Sequence, residues 1–280
     1  MLEEIKRFAL IGSDLSCSLS KKVHEALFWQ SKIKASYEIF EIKESKFESK
    51  IFELLQFDGF NVTRPYKQKI IPYLAGVAED IELLGCVNLV KKSDGLLRGY
   101  NTDVCGFVSA LRAANVLLPA SFCIIGTGAT ARAIAVELAN SGASEITMLT
   151  RDKNSKAVEQ IKKAVRISNP EVKLEFLGAD EFCGGAQMLI NATPVGTFLQ
   201  DESPVEEKAL DGVSFVFDVI YGPKETKLLE MASQKGISNC NGLGMLVWQA
   251  VFSHRIWYGA RFEQNDIARL IEKLQQYGSA

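Results

Sequence analysis

The chain has 280 residues, enough for two domains of ordinary size that each bury a core. A formal net charge of −2, with 47% hydrophobic and 24% charged residues, is typical of a soluble globular protein. That balance gives no electrostatic reason to expect nucleic acid or an anionic membrane surface. No apolar run approaches the ~18 residues of a membrane span. The start, Met1-Leu-Glu-Glu-Ile-Lys-Arg7, is acidic and mixed, unlike a signal peptide. Six cysteines, several inside apolar segments and none in a Cys-x-x-Cys pair, read as reduced residues of a cytoplasmic protein. The two histidines, His24 and His254, lie far apart in sequence, which argues against a histidine zinc site or a Ser-His-Asp triad.

Taken in chain order, 8–11 reads as a strand, followed after a Ser-rich turn by an amphipathic helix near 20–31. A strand at 37–42 and a helix at 46–56 come next. Residues 60–63 end a strand, and Pro65 stands where a helix would begin. Strands 86–90 and 96–100 pair across Ser93-Asp94-Gly95, a hairpin signal. This is a small α/β domain. A helix at 104–114 then leads to a strand at 121–125 and a helix at 129–140. Strands follow at 145–150, 173–177, 186–190, 213–219 and 237–240, with helices at 153–167 and 224–235. Such alternation predicts a doubly wound parallel sheet. Two helical segments, 243–259 and 264–276, close the chain. The domains expected are 1–102, with 243–280 packing back on it, and 103–242.

Between strand 121–125 and helix 129–140 lies Gly126-Thr-Gly-Ala-Thr-Ala131, which matches the turn that closes the first strand of a dinucleotide-binding fold. One glycine permits the tight turn, the second lets backbone approach a pyrophosphate, and the small third residue seats the helix on the strand. The phosphates then meet N–H groups at the helix N-terminus. An ordinary strand–turn–helix also uses glycines for turning, so the βαβ setting matters as much as the pattern.

The first domain carries short polar clusters at strand ends: Ser16-Cys-Ser18-Leu-Ser20, Asn61-Val-Thr63-Arg-Pro65-Tyr-Lys67, Val87-Asn88 and Asn101-Thr102-Asp103. Asn, Ser and Thr also cap helices and shape turns, and Asp103 before an apolar helix suits an N-cap. Four clusters at strand ends nevertheless mark the place where ligands of α/β sheets collect.

With these residues in view, the chain resembles the shikimate dehydrogenase family. The resemblance rests on Gly59-Phe-Asn-Val-Thr-Arg-Pro-Tyr-Lys67, Gly99-Tyr-Asn-Thr-Asp103 and Ser18-Leu-Ser20-x-x-x-His24. It continues in Ile190-Asn-Ala-Thr-Pro-Val-Gly196, Asp218-Val-Ile-Tyr221 and Asn241-Gly-Leu-Gly-Met-Leu-Val-Trp-Gln249, in the family's order and spacing. It implies an N-terminal α/β substrate domain and a Rossmann-type dinucleotide-binding domain with the site in the cleft between them. It also implies C-terminal helices that return to the first domain, and the reversible NADP-dependent reduction of 3-dehydroshikimate to shikimate in aromatic biosynthesis.

By the resemblance Lys67 is the acid/base and Asp103 its partner. Burial makes a lysine a better base and a nearby carboxylate opposes that change, so the two would share a proton. Ser18 and Ser20 would receive the substrate carboxylate with Tyr221, while Asn61, Thr63, Asn88, Asp103 and Gln249 would bind ring hydroxyls. His24, on an amphipathic helix, reads as a packing residue. The positions implied for NADP are Gly126, Thr127, Gly128, Ala129, Thr130, Thr150, Arg151, Lys153 and Gly242.

Several positions depart from the family pattern. Lys21 replaces a proline, Arg64 a small or apolar residue, Leu89 a threonine and Lys227 a proline. Cofactor choice turns on Thr150-Arg151-Asp152-Lys153, where Arg151 and Lys153 favour a 2′-phosphate and Asp152 opposes it if it points inward. Alternatives are a quinate/shikimate dehydrogenase using either cofactor and a non-catalytic ligand sensor. Loss of Lys67 or Asp103 would have favoured the sensor, and both are present. Small molecules are the expected partners of a monomer or homodimer, with no metal.

Overall fold

A computed structural model describes residues 5–276; positions 1–4 and 277–280 of the expected first domain lie outside them. The chain divides into two compact units. The first runs to Phe107 and resumes over Leu246–Ile271, and the second is Val108–Met245 with the chain from Glu272 onward.

In the first unit the strands are β1 (Lys6–Gly12), β2 (Ala35–Glu41), β3 (Gly59–Val62), β4 (Gly76–Val77), β5 (Leu89–Ser93) and β6 (Leu96–Tyr100). They form one mixed sheet in the order β2-β1-β3-β5-β6-β4, with β1 parallel to β2 and β3, and β5 antiparallel to β3 and β6. Asp94 and Gly95 form the two-residue β5–β6 turn, both at positive φ (53° and 76°), as a hairpin of this length requires. One face of the sheet buries Ala9, Ile11, Phe60, Val62 and Val90 against Leu54, Phe57 and Tyr66. The other buries Phe8, Leu10 and Leu89 against Phe28 and Trp257. Helix α1 (Ser20–Ser31) supplies Phe28, and the short helices are α2 (Phe47–Lys50), α3 (Tyr66–Lys69) and α4 (Ile81–Leu84).

The expected helix at 46–56 is a correction. Only α2 is α-helical, and Ile51–Gln56 continues as a 3₁₀ helix. Ile51, Leu54 and Phe57 stand three residues apart and face the core, while Phe52 and Leu55 are exposed. That is the 3₁₀ period, and burial overrides the α propensity. Strand 86–90 also shifts, because residues 86–88 run into the sheet and the ladder begins at Leu89.

In the second unit β7 (Ser121–Ile125), β8 (Glu145–Leu149), β9 (Lys173–Leu177), β10 (Met188–Asn191), β11 (Phe215–Asp218) and β12 (Ser238–Cys240) pair entirely in parallel. Their order is β12-β11-β10-β7-β8-β9, the doubly wound Rossmann arrangement whose direction reverses between β7 and β10. The central strands read as unbroken apolar runs because both faces are buried. Around them run α6 (Ala129–Asn140), α7 (Lys156–Ser168) and α8 (Lys227–Gln234). Ser155 and Thr226 cap α7 and α8, accepting the N–H groups of Val158 and Leu229. Helices α5 (Asp103–Ala113) and α9 (Leu243–Tyr258) each run from one unit into the other, and α10 (Gln264–Gln275) follows. Among the described residues no helix is long and apolar enough to cross a membrane.

One close approach fixes where α9 sits within the first unit. The Trp257 indole donates to Val90 O at 3.0 Å, and a Cβ on Gly59 would lie 2.8 Å from both that oxygen and Trp257 Cδ1. Gly59→Ala is therefore expected to cost about 1–3 kcal/mol, the usual penalty of overpacking. A urea midpoint checks it; an unchanged midpoint would mean the indole moves aside freely.

Candidate active site

Lys67 is placed by its neighbours. Tyr66, fully buried, stacks on Phe47 with ring centroids 4.2 Å apart and donates its hydroxyl to Ile42 O at 2.5 Å. The Lys67 carbonyl accepts the Val87 N–H at 2.7 Å. Between β3 and α3 the Arg64–Pro65 peptide is cis. From this anchored turn Lys67 Nζ reaches Asp103 Oδ2 at 2.5 Å, with side-chain exposures of only 13% and 9%.

Asp103 is the first residue of α5, yet its carboxylate serves its neighbours instead of its own helix. Oδ1 accepts Asn88 Nδ2–H at 2.7 Å while Oδ2 holds Lys67. The cap reading is thus a correction: Asn101 Oδ1 accepts the Asp103 N–H at 2.9 Å and performs the capping. Asn88 Oδ1 accepts the Thr102 N–H at 2.7 Å, and Thr102 Oγ1 approaches Gln249 Oε1 at 3.4 Å. Lys67, Asp103, Asn88 and Gln249 therefore share one connected polar network with Thr102.

Asn61 belongs to an adjoining network. Its Oδ1 accepts Tyr37 OH at 2.8 Å, and its amide donates to Ser253 Oγ at 3.1 Å and Asn88 O at 3.4 Å. One acceptor lone pair of Asn61 remains for a ligand. Ser18 and Ser20 meet each other, with Oγ···Oγ 3.1 Å, and Ser18 Oγ also accepts the Ser20 N–H at 3.2 Å. Thr63, half-buried, follows β3. Tyr221 is half-buried and belongs to the second unit.

Sequence reasoning missed Ser253, Tyr37 and the meeting of the two histidines, whose rings join at 2.9 Å. Ser253 lies one helical turn after Gln249 and donates to its carbonyl at 2.9 Å, so helical spacing was the available signal. Nothing local in the sequence brings His24 to His254, because 230 residues separate them.

In the second unit Gly126 follows β7 at φ +104°, and a Cβ there would lie 2.9 Å from Thr193 Cγ2. Gly128 precedes α6 with open space where a side chain would stand and without a side-chain cap on the helix. Ala131 is fully buried, which suits the third small position. At Gly242 a Cβ would collide with the Val219 carbonyl, and its N–H donates to Ile220 O at 2.8 Å. Thr127, Ala129 and Thr130 are half-buried around this turn.

After β8, Arg151 is exposed and makes no hydrogen bond or ion pair among the described residues. Asp152 Oδ1 accepts the Asn154 N–H at 2.9 Å, and Thr150 Oγ1 accepts the Asp152 N–H at 3.2 Å. Lys153 is held by Glu181 at 2.5 Å. These residues fit a dinucleotide: two glycines that leave room for backbone approach, a helix start beneath them, and a guanidinium beyond the second strand.

The departures from the family pattern are accommodated. Lys21 faces Glu25 at 3.8 Å, Lys227 faces Asp201 at 3.3 Å, and Leu89 is buried in the core. Arg64 stays exposed.

Residues 10–90 match the family model of the shikimate dehydrogenase substrate binding domain. A shikimate dehydrogenase (NADP(+)) of Alkaliphilus oremlandii is 34% identical over 265 residues, 91% of this chain and 92% of that protein. Shikimate dehydrogenase 1 from Peptoclostridium difficile superposes with a TM-score of 0.88 at 28% identity, covering 99% of this chain and 100% of that one. Shikimate 5-dehydrogenase from Thermus thermophilus, solved with NADP(H) and shikimate, gives 0.85 at 26% identity over 96% and 99%. The second unit has the fold of a dinucleotide-binding domain, the first carries a buried lysine–carboxylate pair, and the relatives are oxidoreductases. The chain belongs to the shikimate dehydrogenase family.

Asp218, fully buried at the end of β11, accepts from Thr226 Oγ1 at 2.7 Å, Asn191 Nδ2 at 3.0 Å and Ile220 N at 3.1 Å. Burial nevertheless pushes its carboxyl up to about 6 from an ordinary 3.8. A raised folded value favours the protonated native state, so this contribution to stability is present below pH ~4 and is lost as pH rises through about 6. Asp218→Asn keeps the shape and removes the charge. Relative to the parent it should gain up to roughly 3 kcal/mol between pH 4 and 7. Unfolding free energies at the two pH values test this; an equal difference at both would contradict it.

Proposed function

We propose that the protein catalyses the reversible reduction of 3-dehydroshikimate to shikimate with NADP, Lys67 and Asp103 forming the proton-handling pair. The carrying observation is their 2.5 Å contact, withdrawn from water and braced by Asn88. Oxidising a secondary alcohol needs a hydride acceptor and a group for the hydroxyl proton. NADP, when bound, exchanges the hydride. Lys67 Nζ delivers the proton to the carbonyl oxygen during reduction and takes it back in the reverse direction. Asp103 keeps the ammonium aimed and accepts a hydrogen bond from a ring hydroxyl.

Ser18 and Ser20 bind the carboxylate, joined by Tyr221. Thr63, Gln249 and the remaining acceptor capacity of Asn61 and Asn88 bind ring hydroxyls. Gly126, Thr127, Gly128, Ala129, Thr130 and Gly242 hold the dinucleotide backbone, and Thr150, Arg151 and Lys153 read its adenosine end. The division of labour is a substrate-binding 1–102 with the C-terminal helices, and a dinucleotide-binding 103–242. Cytoplasmic residence accords with the cysteines: several lie inside apolar segments, and burial raises the thiols of Cys123 and Cys240.

Lys67→Ala should lower turnover by roughly 10²–10⁴-fold, the usual contribution of a positioned acid/base, with a far smaller change in shikimate affinity. Nicotinamide absorbance reads the rate; near-normal turnover would demote Lys67 to a structural residue.

Arg151 is the cation left unengaged at the end of β8, since Lys153 is tied to Glu181 and Asp152 is turned onto Asn154 N–H. Arg151→Ala should raise the KM for NADP by about 10- to 100-fold, the loss of a charge-assisted bidentate contact. Use of NAD should hardly change. A parent that prefers NAD, together with improved NADP use in Asp152→Ala, would reverse the assignment.

A further inference from the structure

The two histidines lie in the interior of the first unit, both fully buried, and the proton transfer assigned to Lys67 does not use them. His24 Nδ1 and His254 Nε2 are 2.9 Å apart, and His254 Nδ1 is hydrogen-bonded to Tyr258 OH. Tyr258 is bonded in turn to Ser31, whose hydroxyl donates to Leu27 O at 2.8 Å. His24 Nε2 is buried without a partner. A buried N–H without an acceptor is rarer and costlier than an unused acceptor. The His24 proton therefore sits on Nδ1 and the bonds run one way, from His24 through His254 and Tyr258 to Ser31 and back into α1. Burial lowers both imidazoles below their ordinary range, so each stays neutral and the chain needs no counter-charge.

The elements so joined carry the proposed substrate ligands. His24 stands one helical turn after Ser20 on the same face of α1. His254 follows Ser253 on α9, and Ser253 accepts from Asn61 and donates to the carbonyl of Gln249. The His24 ring also lies flat on Tyr37, with centroids 4.2 Å apart and planes 6° apart, and Tyr37 OH donates to Asn61. An apolar pair would fill this space but tolerate sliding. A hydrogen bond of fixed length and direction specifies the register, a well-attested use of buried polar groups.

We propose that the His24–His254 pair is a positioning device for substrate: it locks α1 to α9 so that Ser18 and Ser20 on one side, and Asn61 and Gln249 on the other, meet the same molecule. This rests on the ligand assignments under the proposed function.

The test compares His254→Leu, which removes the bond, with His254→Gln, whose Oε1 can accept the His24 proton. Steady-state kinetics with shikimate and NADP are read beside the folded fraction. His254→Leu should raise the KM for shikimate roughly five- to tenfold with kcat and the KM for NADP nearly unchanged, and His254→Gln should restore most of the loss. A purely structural contact would instead lower apparent kcat with the folded fraction and leave KM alone, and that result overturns the proposal. His24→Asn and His24→Leu make the same comparison from the other helix. Loss of folding in both leucine variants would also count against it. A parent chain inactive on shikimate sinks the functional reading itself; an active parent with KM unmoved in His254→Leu sinks only the positioning role.

Discussion

A lysine and a carboxylate withdrawn together from water set the terms for the first unit. Burying an ion pair costs several kcal/mol of desolvation per ion, and a pair of apolar residues would usually serve stability as well or better. The fold compensates by supplying exact partners. Asn88 donates to one Asp103 oxygen, Asn101 accepts the Asp103 N–H, and Val87 N–H holds the Lys67 carbonyl. The braces arrive from two segments: the entry to β5, which supplies Asn88 and Val87, and the end of β6, which supplies Asn101. A sheet in another register would leave at least one of them unpaired.

The same economy governs the second unit by different means. Its parallel sheet is apolar on both faces, so polar groups concentrate at strand ends, where Asn191 closes β10 and Asp218 closes β11. Their mutual hydrogen bond and the Thr226 cap tie β10 and β11 to α8. Backbone, more than side chain, makes this end of the sheet suitable for phosphate. Gly126 turns at positive φ, Gly128 leaves open space, and Gly242 admits no Cβ.

Much of this was legible in the sequence because it is local. Apolar runs, the Asp94-Gly95 turn and the glycine turn at 126–131 each encode geometry within a few residues, and they placed every strand but the two-residue β4 and all the long helices to within a few positions. The segment at 46–56 was misread because both helix types suit its composition and only the core selects the three-residue period. The polar clusters of the first unit were visible, but their internal accounting was not. Asn88 looks like a ligand from sequence and is largely committed to Asp103 and Thr102. Asp103 was read as the partner of Lys67, but its second oxygen's bond to Asn88 and the capping of its N–H by Asn101 were not. His24 and His254 carry no sign of each other. Long-range pairing is written in the packing of α1 against α9, which no local pattern specifies.

The claim on which the rest turns is that Lys67 and Asp103 act as one unit. A double-mutant cycle in kcat/KM for shikimate, using Lys67→Ala, Asp103→Ala and the combined variant, measures that directly. If the pair is a unit, the double variant will lie within a few-fold of the worse single variant, because either removal already dismantles the proton-handling group. Losses that multiply, with the double variant falling by the product of the two singles, would show two independent residues and contradict the account.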